Sequence, residues 1–489
     1  MSAVVTAART SRVSSTATLL AVLLGVLVVA MSIAGTAVAV PRIGSDLGAS
    51  GARLQWVVAG YNLTFAAFTL VCGSLADLFG RRRTFLLGAV IFTVGALASG
   101  VAGSIWLLDV ARLLSGVGGA AIMASGGALV ASAFDGPART RAFAALGTMA
   151  GTGVAIGPTL SGWVVGWFGW RTTFLGYVAV GALITVATVL MAESRADTRP
   201  RIDRTGVIMF IAALALIMFA VMRGPEYGWT NPTVLAPLGV GAVLLVAFGA
   251  VERRRTTPVL DLDLLRDRRF LGWSLGTLVT SVGFLGVLVF LPTYLQGVSH
   301  APVSTAGALM LMLTAPILLL PPLAGALINR GVPARLLMTV SLMLIAAGNA
   351  ALAVLLRPGV GAGGLLVPLL AVGAGTGISF GITDGQAMSV VNAERVGMAA
   401  GFLNTIRGSA EALVIAGVSA ALLTLVGSGV GPAVAARVTA GDLTGTHGMS
   451  AAQLADRFTN AWHVLSWTVA GVCAVSVVLV SVLLGRRRA

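Results

Sequence analysis

Apolar stretches of about 20 residues recur from end to end of this 489-residue chain, and short gaps between them carry its charges. A helix of this length crosses the hydrocarbon core of a bilayer, where only helices and closed barrels satisfy every backbone hydrogen bond. With 10% charged residues, the chain has too few charges to cover a soluble protein of this size. The pattern therefore predicts an all-α polytopic membrane protein.

The apolar stretches predict fourteen transmembrane spans. The first follows Arg9 and Arg12 and is too long for the apolar part of a usual signal peptide, so we interpret it as an uncleaved span. The approximate ranges are 17–40, 54–75, 84–103, 106–132, 141–163, 172–192, 206–223, 233–251, 269–292, 303–328, 335–356, 363–390, 397–426 and 462–485.

All 32 basic residues are arginines, and they are divided unequally between the gaps. With the N-terminus in the cytoplasm, 23 arginines fall on the cytoplasmic side and 7 on the outer side, while Arg112 and Arg407 lie inside spans. This asymmetry follows the positive-inside rule and predicts that both termini are cytoplasmic. It also accounts for the net charge of +15 without a nucleic-acid partner.

Charged linkers on either side of spans seven and eight predict the domain organisation. A weak internal repeat supports it, because Asn329-Arg330-Gly331 follows the second span of the C-terminal half as Gly80-Arg81 follows that of the N-terminal half. The expected units are an N-terminal six-helix bundle (1–205), an inserted helix pair with its linker (206–255) and a C-terminal six-helix bundle (256–489). The outer gap near 427–461 is expected to hold an exposed loop or a short surface helix.

The gap after the second span reads Gly73-Ser-Leu-Ala-Asp77-Leu-Phe-Gly80-Arg81-Arg82-Arg83. It resembles the G-x-L-A-D-x-x-G-R-R/K signature of the major facilitator superfamily of secondary transporters. The resemblance implies the major facilitator fold, with two six-helix bundles around a central cavity plus two inserted helices, and alternating access. It also implies that Asp77, Gly80 and Arg81 form a cytoplasmic latch against the start of span thirteen, near Gly397.

Span five carries small residues and a proline at Gly153, Gly157, Pro158 and Gly162. Small residues let helices approach closely, and a proline removes a backbone hydrogen bond and permits a kink. This stretch resembles the motif of antiporters within the superfamily, and the chain as a whole is similar to its fourteen-helix drug/proton antiporter branch. The resemblance implies export in exchange for protons.

Five ionisable residues lie inside predicted spans, where charge is costly: Asp109, Arg112, Asp384, Arg407 and Glu411. Arg112 resembles the arginine of the family's R-x-x-x-G motif, which is implicated in proton transfer. Asp109 lies one turn from Arg112, Glu411 one turn from Arg407, and the depths of Asp384 and Arg407 allow them to pair. We predict that at least one of these acids carries the coupling proton; static ion pairs are the alternative.

The resemblance also implies an acid in span one, but Ser32 stands at that position, level with Arg112, which leaves Asp109 as its substitute partner. The cavity is therefore expected to suit neutral, zwitterionic or anionic amphiphiles better than dications. The candidate cavity residues are Ser32, Tyr61, Asn62, Phe65, Phe68, Phe284, Phe290, Gln386 and Asn404. Residues of these types more often serve simple packing, which is the alternative for each of them.

The sequence thus predicts a proton-coupled exporter of a hydrophobic or amphiphilic small molecule, such as a drug, antibiotic or metabolite. It would act as a monomer in a bacterial cytoplasmic membrane, with protons, membrane lipids and its substrate as partners. An exporter of lipids or lipid conjugates is the alternative, followed by a non-transporting receptor. No cofactor or metal is expected, because the three histidines lack ligand spacing, and no nucleophile–base pair indicates an enzyme.

Overall fold

The computed structural model describes residues 2–134, 136–191, 193–194, 204–253, 264, 266–391, 396–444 and 449–485, and these residues are largely helical. The helices are α1 (Ser2–Leu47), α2 (Gly51–Phe79), α3 (Arg81–Gly100), α4 (Ile105–Ala133), α5 (Gly136–Phe168), α6 (Trp170–Ala187), α7 (Arg204–Tyr227), α8 (Pro232–Glu252), α9 (Arg268–Gly297), α10 (Val303–Leu309), α11 (Leu311–Asn329), α12 (Ala334–Leu355), α13 (Ala362–Ser389), α14 (Val396–Gly427), α15 (Pro432–Thr439) and α16 (Ala451–Leu483).

Twelve helical segments in the described part of the chain are long and apolar enough to cross a membrane. One of them is α10 together with α11, which are separated only by Met310. With 29 and 33 residues, α2 and α5 are also long enough to span. The chain is therefore a multi-pass membrane protein, and its helices are compatible with the fourteen predicted spans, although that count stays a prediction.

The region between α14 and α16 differs in detail from the sequence prediction. It contains the short helix α15, whose Val434 and Val438 are buried, and α16 begins at Ala451, well before the predicted start at residue 462. The early start has a local cause, since Ser450 and Gln453 form a reciprocal capping box. The helix thus begins where its cap residues stand and not where the apolar stretch begins.

The two halves repeat the same pattern of helix packing. In the N-terminal half, α1 contacts α4, α5 and α6, α4 contacts α2 and α3, and α3 contacts α6. In the C-terminal half, α9 contacts α13, α14 and α16, α13 contacts α11 and α12, and α12 contacts α16. These contacts of one bundle have counterparts in the other, as two parallel repeats require. The exact boundaries at 205 and 255 stay a prediction.

The inserted pair, α7 and α8, packs together beside the two bundles. α7 also contacts α2 of the N-terminal half and α14 of the C-terminal half, so it lies where the halves meet. In α8 only 17% of the most apolar window is buried. An apolar helix that is so exposed must face lipid in a membrane.

Candidate functional site

Arg112 on α4 is enclosed in the N-terminal half, with only 1% of its surface exposed. Its guanidinium donates hydrogen bonds to the Ser32 hydroxyl and the Val57 carbonyl oxygen, each at 2.9 Å. The same group lies 4.3 Å from the centroid of the Tyr61 ring, a favourable cation–π position. Ser32 and Arg112 therefore meet although the sequence predicted Asp109 as the partner, and neutral groups hold the cation.

Asp109 lies one turn before Arg112, but among the described residues no carboxylate forms an ion pair with this arginine. Asp109 is 8% exposed, and its Oδ1 has no hydrogen-bond partner in the described part of the chain. The expected Asp109–Arg112 pair is not seen, because the Arg112 side chain points to α1 and α2 and binds Ser32 and Val57 there. An enclosed guanidinium is also poorly placed to bind an acidic substrate.

In the C-terminal half, α13 and α14 bring Asp384 and Arg407 together, with 2.5 Å between Asp384 Oδ1 and Arg407 Nη2. This is the pair that the sequence depths allowed. The Asp384 side chain is 56% exposed, so the pair is not enclosed by the protein. Glu411, one turn beyond Arg407, is half-buried and forms no ion pair with it among the described residues.

Gly153 and Gly157 place α5 directly against α1. A Cβ atom on Gly153 would lie 2.7 Å from the Leu27 carbonyl oxygen, and one on Gly157 would lie 3.3 Å from the Met31 backbone. Only a glycine permits backbones this close. The predicted hinge residues therefore form a tight contact within the N-terminal half.

The next turn of α5 contacts the other half. A Cβ atom on Gly162 would lie 2.8 Å from the Val303 carbonyl oxygen, and one on Gly307 would lie 2.6 Å from the Pro158 carbonyl oxygen. The Thr159 hydroxyl donates a hydrogen bond of 2.9 Å to the Gly307 carbonyl. The Gly157–Gly162 stretch thus joins α1 and α10, one from each half.

The halves also touch elsewhere on the predicted outer side and in the middle. Gln296 on α9 donates to the Val38 carbonyl on α1 (3.1 Å), and Thr314 on α11 donates to the Ala155 carbonyl on α5 (2.8 Å). Closer to the predicted cytoplasmic side, the Cβ positions of Gly147 on α5 and Gly325 on α11 have no neighbour within 4 Å. The described contacts between the halves along α5 and α11 therefore lie towards the predicted outer side and the middle.

The turn between α2 and α3 is anchored to the end of the sixth span. Gly80 has φ +111°, which favours glycine. The backbone N–H groups of Arg81 and Arg82 donate to the Ser194 carbonyl (2.9 Å) and to Glu193 Oε1 (3.1 Å), and Arg83 lies 3.6 Å from Glu193 Oε2. A carboxylate at the first turn of α3 is stabilised by the helix dipole.

Sequence reasoning missed the role of Glu193, although its position as an acid directly after span six, among arginines, is a usable signal. The side chains of Asp77 and of the residues around Gly397 lie outside the described residues. The latch that was expected between them and Arg81 thus stays a prediction.

Most candidate cavity residues are buried within the bundles. Tyr61, Asn62, Phe284 and Phe290 are at most 3% exposed, and Ser32 is enclosed beside Arg112. The partly exposed candidates are Phe65, Phe68 and Gln386, while the Asn404 side chain lies outside the described part. Among the candidates whose side chains are described, those three are the accessible ones.

The model of the family described as Major Facilitator Superfamily matches residues 22–415 of this chain. The chain is 34% identical to multidrug resistance protein Stp of Mycobacterium tuberculosis, over 80% of this chain and 72% of that protein. It is 29% identical to the tetracenomycin C resistance and export protein of Streptomyces glaucescens, over 96% and 91%. It is 33% identical to a probable actinorhodin transporter of Streptomyces coelicolor, over 76% and 66%.

Solved structures agree with the fold. A crystal structure of tetrameric PepTSo2 superposes with a TM-score of 0.62 and covers 95% of this chain and 98% of its own. At 16% sequence identity, this likeness concerns the fold alone.

Proposed function

We propose that this chain, which belongs to the Major Facilitator Superfamily, exports a hydrophobic or amphiphilic small molecule in exchange for protons. Relatives named for multidrug resistance and for antibiotic export support a drug-like or antibiotic-like substrate. The family and these relatives point to a transporter and not to an enzyme.

The observation that carries proton coupling is the Asp384–Arg407 ion pair. It lies within the spans of the C-terminal half, yet the Asp384 side chain remains accessible. Ionisable groups at such depth are costly and are retained for function by default. Protonation of Asp384 would remove its charge and its attraction to Arg407, so that α13 and α14 could move apart. Deprotonation on the cytoplasmic side would restore the pair.

Asp109 is the second candidate for the coupling proton. Its carboxyl group is nearly buried and one of its oxygens has no partner among the described residues, whereas Arg112 nearby is fixed by neutral groups. We assign Arg112 a positioning role, because it holds α1, α2 and α4 together. A proton that enters with one charge across 100 mV contributes about 2.3 kcal/mol to the work of export.

Alternating access would begin from the arrangement seen here, which is joined on the predicted outer side. To open outward, the protein must separate α5 from α10 and break the Thr159–Gly307 hydrogen bond. The close glycine contacts of α5 with α1 and α10 provide smooth surfaces for such a movement. At the same time the inner ends of the two halves would close against each other.

Efflux from proteoliposomes with an imposed pH gradient tests this proposal. The compound panel should include tetracenomycin C and actinorhodin, for which relatives are named, beside neutral and dicationic drugs. We expect gradient-driven efflux of at least one uncharged or anionic compound, its loss in Asp384→Asn, and its retention in Asp442→Asn, which removes a carboxylate in the outer loop. Efflux that ignores the pH gradient, or that survives Asp384→Asn together with Asp109→Asn and Glu411→Gln, would contradict the coupling.

The proposed setting is a bacterial cytoplasmic membrane, with both termini cytoplasmic and the protein acting as a monomer among its lipids. A protease-sensitive tag after residue 489 should be cleaved in inverted vesicles and protected in intact cells. Cleavage in intact cells would reverse the orientation. The mass of the detergent-solubilised protein, corrected for bound detergent, should correspond to one chain of 49.4 kDa.

A further inference from the structure

A crevice of ≈ 230 Å³ lies between α1, α5 and α6 of the N-terminal half. Its mouth includes Leu160 and Gly176, which are exposed. Since exposed apolar residues on a spanning helix face lipid, the crevice opens sideways into the bilayer. It is therefore distinct from the seam between the two halves.

Aromatic side chains place the mouth of this crevice at the membrane interface. A second depression of ≈ 560 Å³ shares Leu160 and Val164 with it, is bordered by Trp163, Trp167 and Phe168, and reaches Ser304 on α10 at the seam between the halves. These three rings are 57%, 81% and 68% exposed. Exposed tryptophans at a helix end mark the headgroup level of a bilayer, here on the predicted outer side.

From this level the crevice runs towards the middle of the membrane. Its lining residues on α6 extend from Thr172 to Val180, which corresponds to about 12 Å along a helix. The deep part is purely apolar, with Leu24, Leu27 and Val28 from α1. The shape is a short apolar channel with its entrance among aromatic rings.

Two hydroxyl groups near the entrance have no protein partner. Ser161 and Thr173 line the crevice, are 3% and 7% exposed, and their hydroxyl groups have no hydrogen-bond partner among the described residues. Tyr177, the next hydroxyl inward, is already used, because it donates to the Met31 carbonyl at 3.0 Å. Both unpartnered oxygens are shielded from the crevice in this arrangement, so a ligand with an acceptor group reaches them only when the two side chains rotate. Buried polar groups are normally satisfied, which favours such a ligand.

We propose that this crevice binds one acyl chain of a phospholipid from the leaflet on the predicted outer side, and that Ser161 and Thr173 rotate to donate hydrogen bonds to its ester carbonyl. A volume of ≈ 230 Å³ is below the roughly 300–1,000 Å³ of pockets for drug-sized ligands, and it suits the upper part of a single chain. The polar headgroup then lies over Trp163 and Trp167. The bound chain packs against α5 beside Pro158, where it supports the contact between α1 and α5.

Gly176→Leu is the variant that narrows the mouth of this crevice. A Cβ atom on Gly176 meets nothing within 4 Å, so a larger side chain enters the open space without a clash. Gly239→Leu on α8 is the matched control, because this glycine is also helical, exposed and free of neighbours within 4 Å of its Cβ position. Both variants add the same apolar side chain to a lipid-facing surface.

The probe is phosphatidylglycerol with a photoreactive diazirine in one acyl chain, incorporated in nanodiscs, with crosslinks mapped by mass spectrometry. We expect wild-type labelling on the α1 and α6 peptides that line the crevice, a loss of at least about fivefold in Gly176→Leu, and no change in Gly239→Leu. Excess unlabelled phosphatidylglycerol should remove the label, whereas a transported drug should not. Equal labelling in both variants, or displacement by the drug alone, would overturn the proposal.

The double variant Ser161→Ala, Thr173→Val provides a second test that does not depend on how Gly176→Leu folds. No hydrogen bond within the described part of the protein is lost, so the melting temperature in lipid-free detergent should not fall. Labelling at the crevice should decrease severalfold because the ester carbonyl loses its donors. A lower melting temperature with unchanged labelling would show that the hydroxyls serve the protein and not a lipid. Both tests measure binding, so their outcome is separate from that of the transport assay.

Discussion

Arg112 on α4 and Ser32 on α1 are joined by a hydrogen bond of 2.9 Å between guanidinium and hydroxyl, in the interior of the N-terminal half. The serine thus provides a neutral acceptor for a charge that is almost completely buried. Removing one hydrogen-bond partner of a buried charged group lowers the stability of the protein more than removing a hydroxyl that donates within its own helix.

Ser32→Ala should therefore destabilise the protein by about 1–3 kcal/mol, seen as a lower melting temperature in detergent. Ser115→Ala is the control, because Ser115 is equally buried and donates only to the Ala111 carbonyl of its own helix. Ser32→Asp should recover the stability by forming an ion pair. Equal decreases of the melting temperature in both alanine variants would show that the contact with Arg112 adds nothing to stability.

Exchange of the charges at Asp384 and Arg407 separates a structural from a coupling role. Asp384→Arg and Arg407→Asp should each lower the melting temperature and abolish gradient-driven efflux, since each places two like charges together. The exchanged double variant should regain the melting temperature but not the efflux, because the acid then stands on α14. If the double variant regains efflux as well, the pair is a static contact.

Gly80→Ala should disturb the turn between α2 and α3. Gly80 has φ +111°, and an added Cβ atom would lie 2.7 Å from Glu193 Oε1. An unfavourable backbone of this kind costs about 1–2 kcal/mol, and the displaced Glu193 would release Arg82 and Arg83. We expect a lower melting temperature and slower efflux. Gly73→Ala is the control, because its Cβ position has no neighbour within 4 Å; similar losses in both would refute the role of the turn.

Gly162→Val should push α5 away from α10 and favour the state that is open to the outside. The added side chain would collide with the Val303 carbonyl and with Gly307, whereas at Gly166, one turn away, the nearest atom lies at 3.7 Å. Double electron–electron resonance between spin labels on the outer ends of α5 and α10 measures the separation. We expect longer distances in Gly162→Val and wild-type distances in Gly166→Val; no shift in the first would contradict the prediction.

In the outer loop, Asp442 forms an ion pair of 2.9 Å with Arg437 and accepts hydrogen bonds from Thr444. Burial opposes ionisation of Asp442, but the bonds from Arg437 and Thr444 outweigh it and hold its pKa below the usual value. A lowered pKa in the folded state means that the stabilisation is complete above the pKa of the unfolded chain and is lost as the pH falls through the folded value.

The melting temperature of wild type should therefore exceed that of Asp442→Asn by a constant amount from pH 5 to 8, above the ordinary aspartate pKa of about 3.9. The difference should disappear only in stronger acid. Thr444→Ala, which keeps the carboxylate and the arginine, should show a smaller effect. A difference that changes between pH 5 and 8 would contradict the lowered pKa.

The sequence was sufficient for features that depend on apolar length and on depth in the membrane. The helices, the repeated bundles and the Asp384–Arg407 contact follow from these two quantities. The partners of Arg112 depend on how α1, α2 and α4 are rotated about their axes, and no spacing within one helix reveals that. Glu193 was missed for a related reason, since its contact with Arg82 joins positions 111 residues apart.

Aromatic residues were the least predictable part of the site. Phe284 and Phe290 lie on α9, where 83% of the most apolar window is buried, so they pack in the interior and do not line an accessible space. A helix that is apolar on all sides gives no sequence signal for the side that faces a cavity.

The short helix α15 lies across the predicted outer entrance, where it contacts α2 of one half and α14, α9 and α16 of the other. Its Val438 is fully buried in this arrangement, and the Cβ atom of its Ala436 lies 2.8 Å from the position that a Cβ atom would take on Gly51. Opening towards the medium must part α15 from α2 and expose apolar surface to water. In this arrangement α15 therefore closes the predicted outer side, and the apolar surface that it buries opposes opening towards the medium.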